Sequence, residues 1–230
     1  MRCAAFLLAL HCSAAVAVLP ATVTATYDVY RNGLPVAVVE ESFEKDGDHY
    51  RIVSESNPAG LLAMLVRTRI VIHSSGLVTG AGLRPQQFDY GRLDDASKNV
   101  SAEFDWNAQQ LQLSFAGQRE TAPLAAGTQD RLSAMYQFMF LPAEPASGLV
   151  FPMTNGRKVE HYRYQPSGSE QIETPIGRFE TLRLVKEREA DDNGVEVWLA
   201  RDRNLFPVRL VIIEKDGTRF EQVITRLEIR

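Results

Sequence analysis

The chain predicts a mainly β protein: a large curved antiparallel sheet, or open half-barrel, with one amphipathic helix packed on its concave face. Three observations carry this. Many apolar/polar alternating runs of about 5 to 10 residues are separated by Gly, Pro, Asn and Asp turn signals. A single segment, residues 128–141, has helical rather than alternating periodicity. With 45% hydrophobic and 23% charged residues in 230, the chain is long enough for one substantial core.

The first residues stand apart from that core. Arg2 precedes an apolar run from Ala4 to Ala17, broken only by His11, Cys12 and Ser13. Small-x-small sites follow at Ala15–Ala17 and Val23–Ala25. This is the pattern of a secretory signal peptide cleaved after Ala17 or Ala25, and the run is too short for a membrane span of about 20 residues. We therefore expect a leader over 1–25, a single β-rich domain over 26–230 and a periplasmic location.

Both cysteines, Cys3 and Cys12, fall in the leader, so the mature chain has no thiol to form a disulfide or bind a metal. Leu10-His11-Cys12 lacks the small residue that precedes the cysteine of a lipid-attachment signal. Losing Arg2 leaves 24 basic against 29 acidic residues, a net of −5. With no basic run interleaved with aromatics, a nucleic-acid partner is not expected.

Tyr27 to Arg31 leads into Asn32-Gly33, a two-residue hairpin signal because both positions tolerate positive φ. Val36 to Phe43 returns, and Asp46-Gly47 turns into His49 to Val53. Asn57 to Gly60 reads as a loop, and Leu61 to Val66 is apolar without a decisive period. Arg67 to His73 alternates toward Gly76, and Gly80-Ala81-Gly82 makes a further turn. Val100 to Trp106 alternates strictly, the mark of a strand with one buried face, and Leu111 to Phe115 repeats it. Glu44-Lys45-Asp46-Gly47 recurs as Glu214-Lys215-Asp216-Gly217, which convergent hairpin chemistry explains without a repeat period.

In 128–141, Leu132, Met135, Tyr136, Met139 and Phe140 recur at i, i+3, i+4, i+7, i+8. Thr128 reads as the N-cap, Asp130 complements the positive helix end, and Pro142 stops the helix. A Pro/Gly-rich loop from Pro142 to Gly156 follows. Strands are then expected at 159–164, 170–174, 179–188, 195–200, 207–213 and 218–229. An outer-membrane barrel is disfavoured, because late strands carry charges on both pleat faces, as at Arg183, Lys186, Glu187 and Arg188.

The catalytic inventory is thin, and we expect neither an enzyme nor a cofactor. His49, His73 and His161 are scattered, without the convergent ligands zinc needs. Asp191 to Gly194 lacks the continuation of a calcium loop and reads as a hairpin turn. No nucleophile elbow, P-loop or dinucleotide fingerprint occurs. Asp130 and Ser133 read as helix capping and packing. Trp106 and Trp198 sit in alternating strands. They either pack in the core or line a cavity beneath the helix with Leu132, Met135, Tyr136 and Met139, where adaptable methionines suit loosely shaped apolar ligands.

Three stretches resemble the domain-of-unknown-function family 3108: Gln129 to Phe138, Gly177 to Leu182, and Val197 to Asp202 with Leu205 to Arg209. Gly82-Leu83-Arg84-Pro85, with Phe88 and Tyr90, fits the same family. Asp130, Ser133, Tyr136, Trp198, Asp202 and Pro207 are the motif positions. The resemblance spans roughly residues 27–228 and implies an exported bacterial protein with a large curved antiparallel sheet and no established activity. That architecture is similar, more loosely, to the open half-barrels of periplasmic lipoprotein carriers, though those use more than one helix as a lid. The expected function is therefore a non-enzymatic carrier of an amphipathic or lipid-like ligand. The alternative is a cell-envelope assembly factor acting through a protein partner.

Overall fold

The structure, a computed structural model, describes residues 19–60, 63, 68–142, 148–188 and 192–230. The expected leader up to residue 18 and the ambiguous run at 61–66, apart from Ala63, lie outside the described residues.

Among the described residues, fifteen strands form one open sheet. Its first half is a meander: β1 (Thr22–Arg31), β2 (Leu34–Asp46), β3 (His49–Pro58), β4 (Ile70–Thr79), β5 (Gly82–Arg92), β6 (Val100–Asp105), β7 (Gln110–Phe115) and β8 (Gln118–Pro123). The second half is β9 (Gln129–Asp130), β10 (Leu149–Thr154), β11 (Val159–Thr174), β12 (Gly177–Lys186), β13 (Gly194–Ala200), β14 (Phe206–Ile213) and β15 (Arg219–Ile229). The two halves join through the first and last strands. β1 pairs antiparallel with β15, Val23 opposite Ile229, and Thr22 and Arg230 exchange backbone hydrogen bonds of 3.0 Å.

Most turns obey the local chemistry. Asn32 and Gly33 have φ of 49° and 82°, so both central positions of the β1–β2 hairpin are left-handed. The strands expected at 159–164 and 170–174 are one strand, β11, bent by a register shift between Pro166 and Ser169 that takes up the extra residues. The expected loop from Pro142 to Gly156 contains β10. Its proline, Pro152, is tolerated because β10 pairs with β9 only at Met153 and Thr154, leaving the proline on a free edge.

The helix is shorter than its periodicity predicts. The α-helix α1 covers Ser133–Gln137 and tightens into a 3₁₀ turn at Phe138–Phe140. Thr128 does not cap it: its hydroxyl donates to the Ala125 carbonyl at 2.7 Å, and Gln129 and Asp130 are already in β9. Asp130 takes the capping role, its Oδ1 accepting from the Leu132 and Ser133 amides at 2.8 Å each.

α1 is also covered on more than the one expected face. Leu132, Tyr136 and Met139 bury among β1, β2, β3, β14 and β15, against Tyr27, Phe43, Tyr50 and Phe206. Ala134 and Phe138 bury on the other side, against Phe151, Tyr164, Leu184 and Leu199 of β10 to β13. A segment apolar on nearly every side belongs in an interior, so the sheet curls around it. A third cluster, on Phe88, Val100, Phe104, Leu111 and Leu113, holds β5 to β7 together.

Among the described residues no hydrogen-bonded ladder closes the sheet, yet side chains bridge its gap. Gln129 donates to the Leu83 carbonyl at 2.8 Å, and the Leu83 amide donates to Gln137 Oε1 at 2.8 Å. The β10–β11 turn leans on β5 and β6, where Gly156 lies so close to Val100 that an added Cβ would come within 2.6 Å of its methyl. Among the described residues, no helix is long and apolar enough to cross a membrane.

Candidate functional site

Inside the curve, between the first half of the sheet, α1 and the β14–β15 hairpin, lies a cavity of about 750 Å³. Its formation follows from side-chain size along the inward rows. Tyr27, Val39 and Ile72 point inward, while Glu41, Ser54 and Ser56 take positions where a β-core places large apolar groups. Small polar residues leave space that α1 fills only in part. Leu132, Met135 and Tyr136 form one wall, and Phe206, Leu210 and Ile212 of β14 form an adjoining one.

Glu41 is the chemical centre of this space. It is half-buried, with Oε1 accepting from Ser54 Oγ at 3.1 Å and Oε2 from the Tyr136 hydroxyl at 3.3 Å. Burial raises its pKa from 4.5 to about 7, and the two hydroxyl donors only partly offset this. Burial and the same carboxylate push the Tyr136 and Tyr27 hydroxyls well above the ordinary tyrosine value. Tyr27 donates to the Pro207 carbonyl at 3.0 Å. Tyr136 stacks on Phe43, ring centres 5.3 Å apart, and meets Phe206 edge-on at 5.7 Å.

The charged rim is more polar. Arg92 pairs with Asp94 at 3.3 Å, Arg209 pairs with Glu221, and exposed Arg131 lies over the Tyr90 ring at 6.0 Å. A second, more open recess of about 560 Å³ runs across β4 to β8. Among the described residues, no group of three or more His, Cys, Asp or Glu side chains is placed to hold a metal ion.

The residues singled out from the sequence divide among several places. Leu132, Met135 and Tyr136 line the cavity, as does the motif residue Pro207. Met139 is buried in the adjoining core, 3% exposed, and is not among the lining residues. Trp106 lies over β6, its indole donating to the Pro85 carbonyl at 2.6 Å, with Arg84 5.0 Å from its ring. Trp198 is buried between Arg183 and Arg209, whose guanidinium carbons lie 5.3 and 4.8 Å from its ring. Its indole N–H donates to Glu170. Asp202 is exposed and paired with Arg203.

Asp130 and Ser133 are both wholly buried and belong to a different network. Tyr50 shares a hydrogen bond with Ser74 at 3.1 Å, Ser74 donates to Asp130, and Ser133 Oγ accepts from the Asp130 amide at 3.0 Å. Sequence reasoning missed Glu41, Ser54 and Tyr27. One signal was present: Glu41 is a charged residue at an inward position of β2, between Val39 and Phe43.

The protein-family model "Protein of unknown function (DUF3108)" matches residues 26–225. The chain belongs to this family. Among solved structures, a β-barrel-like protein of the domain of unknown function DUF1849 from Brucella abortus is similar at a TM-score of 0.60 and 10% identity. That match covers 93% of this chain and 100% of the other. A protein described as a candidate lipoprotein from Parabacteroides distasonis aligns over 92% and 96% of the two chains, with 10% identity and a TM-score of 0.39. One described as a candidate exported protein with a YmcC-like fold, from Bacteroides fragilis, aligns over 91% and 96%, with 12% identity and a TM-score of 0.40. The Brucella likeness shows the barrel-like fold alone. No curated protein matches the chain.

Proposed function

We propose that this DUF3108 member is a non-enzymatic binding or carrier protein that takes an amphipathic, lipid-like ligand into the cavity between the sheet and α1, in the periplasm. The observation that supports it is the cavity itself: about 750 Å³ with aliphatic and aromatic walls, one interior carboxyl and charges at the rim. Pockets of a few hundred to a thousand Å³, mostly apolar with a few placed polar groups, are the usual form of small-molecule sites. Among the described residues, Glu41 is hydrogen-bonded to the hydroxyls of Ser54 and Tyr136 and to no second carboxylate or imidazole, which favours holding a ligand over transforming it.

Native mass spectrometry of the mature protein, isolated gently from its host, tests this. The expected result is a discrete added mass that is lost on denaturation and identified as an amphiphile. A mature protein that carries no such mass, and takes up none from a total lipid extract, overturns the reading.

A further inference from the structure

Glu41 is the carboxyl that faces the cavity interior. Among the described residues no cation pairs with it; its partners are the hydroxyls of Ser54 and Tyr136. A hydroxyl donor supplies a dipole but no countercharge, so the ionised carboxylate is left unbalanced in an apolar space. Aromatic rings surround it. Ala25 pairs opposite Glu41 in the β1–β2 ladder and Tyr27 opposite Val39, so Tyr27 is a same-face diagonal neighbour of Glu41. Tyr136 reaches in from α1, and Phe206 packs edge-on against it, both lining the cavity. A carboxylate among tyrosine and phenylalanine rings is the arrangement that recognises ammonium centres, because ring faces and carboxylate attract the same positive charge.

We propose that the cavity takes an organic cation with an apolar body, its ammonium centre held by the Glu41 carboxylate among the Tyr27, Tyr136 and Phe206 rings, and its hydrocarbon along Val39, Ile72, Leu132 and Met135. This rests on the carrier reading above and adds the sign of the ligand's charge. The other charged groups facing the cavity are Arg92, Arg131, Arg209, Glu214 and Glu221, with Tyr90 as a further titratable group. Asp94 pairs with Arg92, Glu221 is shared between Arg209 and Arg219, and Arg131 is exposed. Glu41 titrates at about 7, so the cation is held above neutrality and released as pH falls and the carboxyl takes up a proton.

The test titrates the folded protein at pH 8 with decyltrimethylammonium, decyl sulfate and decanol, each below its micelle concentration. The proposal expects the cation to bind tightest, and Glu41→Gln to weaken it about tenfold or more, a larger loss than decanol suffers. For the unaltered protein, cation affinity should fall by a similar factor between pH 8 and pH 5.5. The quaternary probe does not titrate, so this second measurement holds even if the variant folds poorly. Decyl sulfate binding tighter than the cation, or cation affinity indifferent to both pH and Glu41, overturns the charge assignment but leaves the carrier reading standing. Failure of all three probes to bind overturns both.

Discussion

Ser74 Oγ donates to Asp130 Oδ2 at 2.6 Å, a buried bond between β4 and β9, just ahead of α1, that links residues 56 apart in the chain. Both side chains have no exposed surface. Asp130 also satisfies two amides at the entry to α1, and Tyr50 completes the chain through Ser74. Two constraints, the placement of the helix and the closure of the sheet's gap, therefore meet at one carboxyl.

Removing that carboxyl leaves two amides without an acceptor in a dry interior and the Ser74 hydroxyl with Tyr50 alone. Asp130→Ala is expected to cost about 3–5 kcal/mol and Ser74→Ala about 1–3 kcal/mol, whereas Asp130→Asn keeps an acceptor for the amides and costs less than Asp130→Ala. Thr128→Ala removes only a local turn bond and stays within about 1 kcal/mol. Urea unfolding of the four variants checks the order; equal costs for Asp130→Ala and Thr128→Ala would refute it.

Glu41 makes stability depend on pH. Its folded-state pKa, about 7, lies above the ordinary 4.5, so the native state holds a proton that the unfolded chain has released between those values. Stability is then greatest below about 4.5 for this group, falls as pH rises to 7, and carries the full penalty above it. Asp130, also raised by burial, acts in the same direction. Glu41→Gln is expected to stabilise the protein at pH 8 by about 1–3 kcal/mol and to flatten this slope. Melting curves from pH 5 to pH 8 read it directly.

Gly82 holds the β4–β5 turn against α1. Its φ is +117°, and an added Cβ would lie 2.1 Å from the Gln137 amide nitrogen that reaches the Ala81 carbonyl. Gly82→Ala is expected to cost about 2–4 kcal/mol, since strain and the broken clamp add. Gly33→Ala, at φ +82° with nothing within 4 Å, should cost only about 1 kcal/mol. Comparable denaturation midpoints for the two would show that the clamp contributes nothing.

Met135 and Met139 separate wall from core. Met139→Ala should lose about 2–5 kcal/mol in urea unfolding, as a buried truncation does, while Met135→Ala, only partly buried at the cavity wall, loses about half that or less. Met135→Ala should nevertheless change decyltrimethylammonium affinity by more than Met139→Ala does. The reverse ranking in both measurements would place the ligand elsewhere.

The two cleavage positions expected from the sequence would differ in structural consequence. A cut after Ala25 would remove Val23 and Ala25, 1% and 0% exposed, together with rungs that pair with both β2 and β15. Leu19, further upstream, also packs against the core. We expect the mature chain to begin before Thr22, as read by intact mass. A chain starting at residue 18 should also melt well above one starting at residue 26.

The sequence by itself determined the fold class, the family, most strands and their turns, and the presence of one interior helix. Each of these is written in short-range chemistry: period-two alternation at Val100 to Trp106, left-handed pairs such as Asn32-Gly33, and the recurrence of Leu132, Tyr136 and Met139. The limits of α1 were less legible, because Asp130's side chain caps the helix only once Ser74 and Tyr50 have buried it, and Gln129 and Asp130 add a parallel strand to β10. β10 itself was hidden by Pro152, which reads as a loop residue until the free edge is known. What only the tertiary structure decided is the meeting of β1 with β15, the wrapping of the sheet around α1, and the space around Glu41. A carboxyl on β2, a hydroxyl on β3 and a tyrosine on α1 share no local pattern. They become neighbours because the sheet's curvature and the incomplete filling of its interior bring them together.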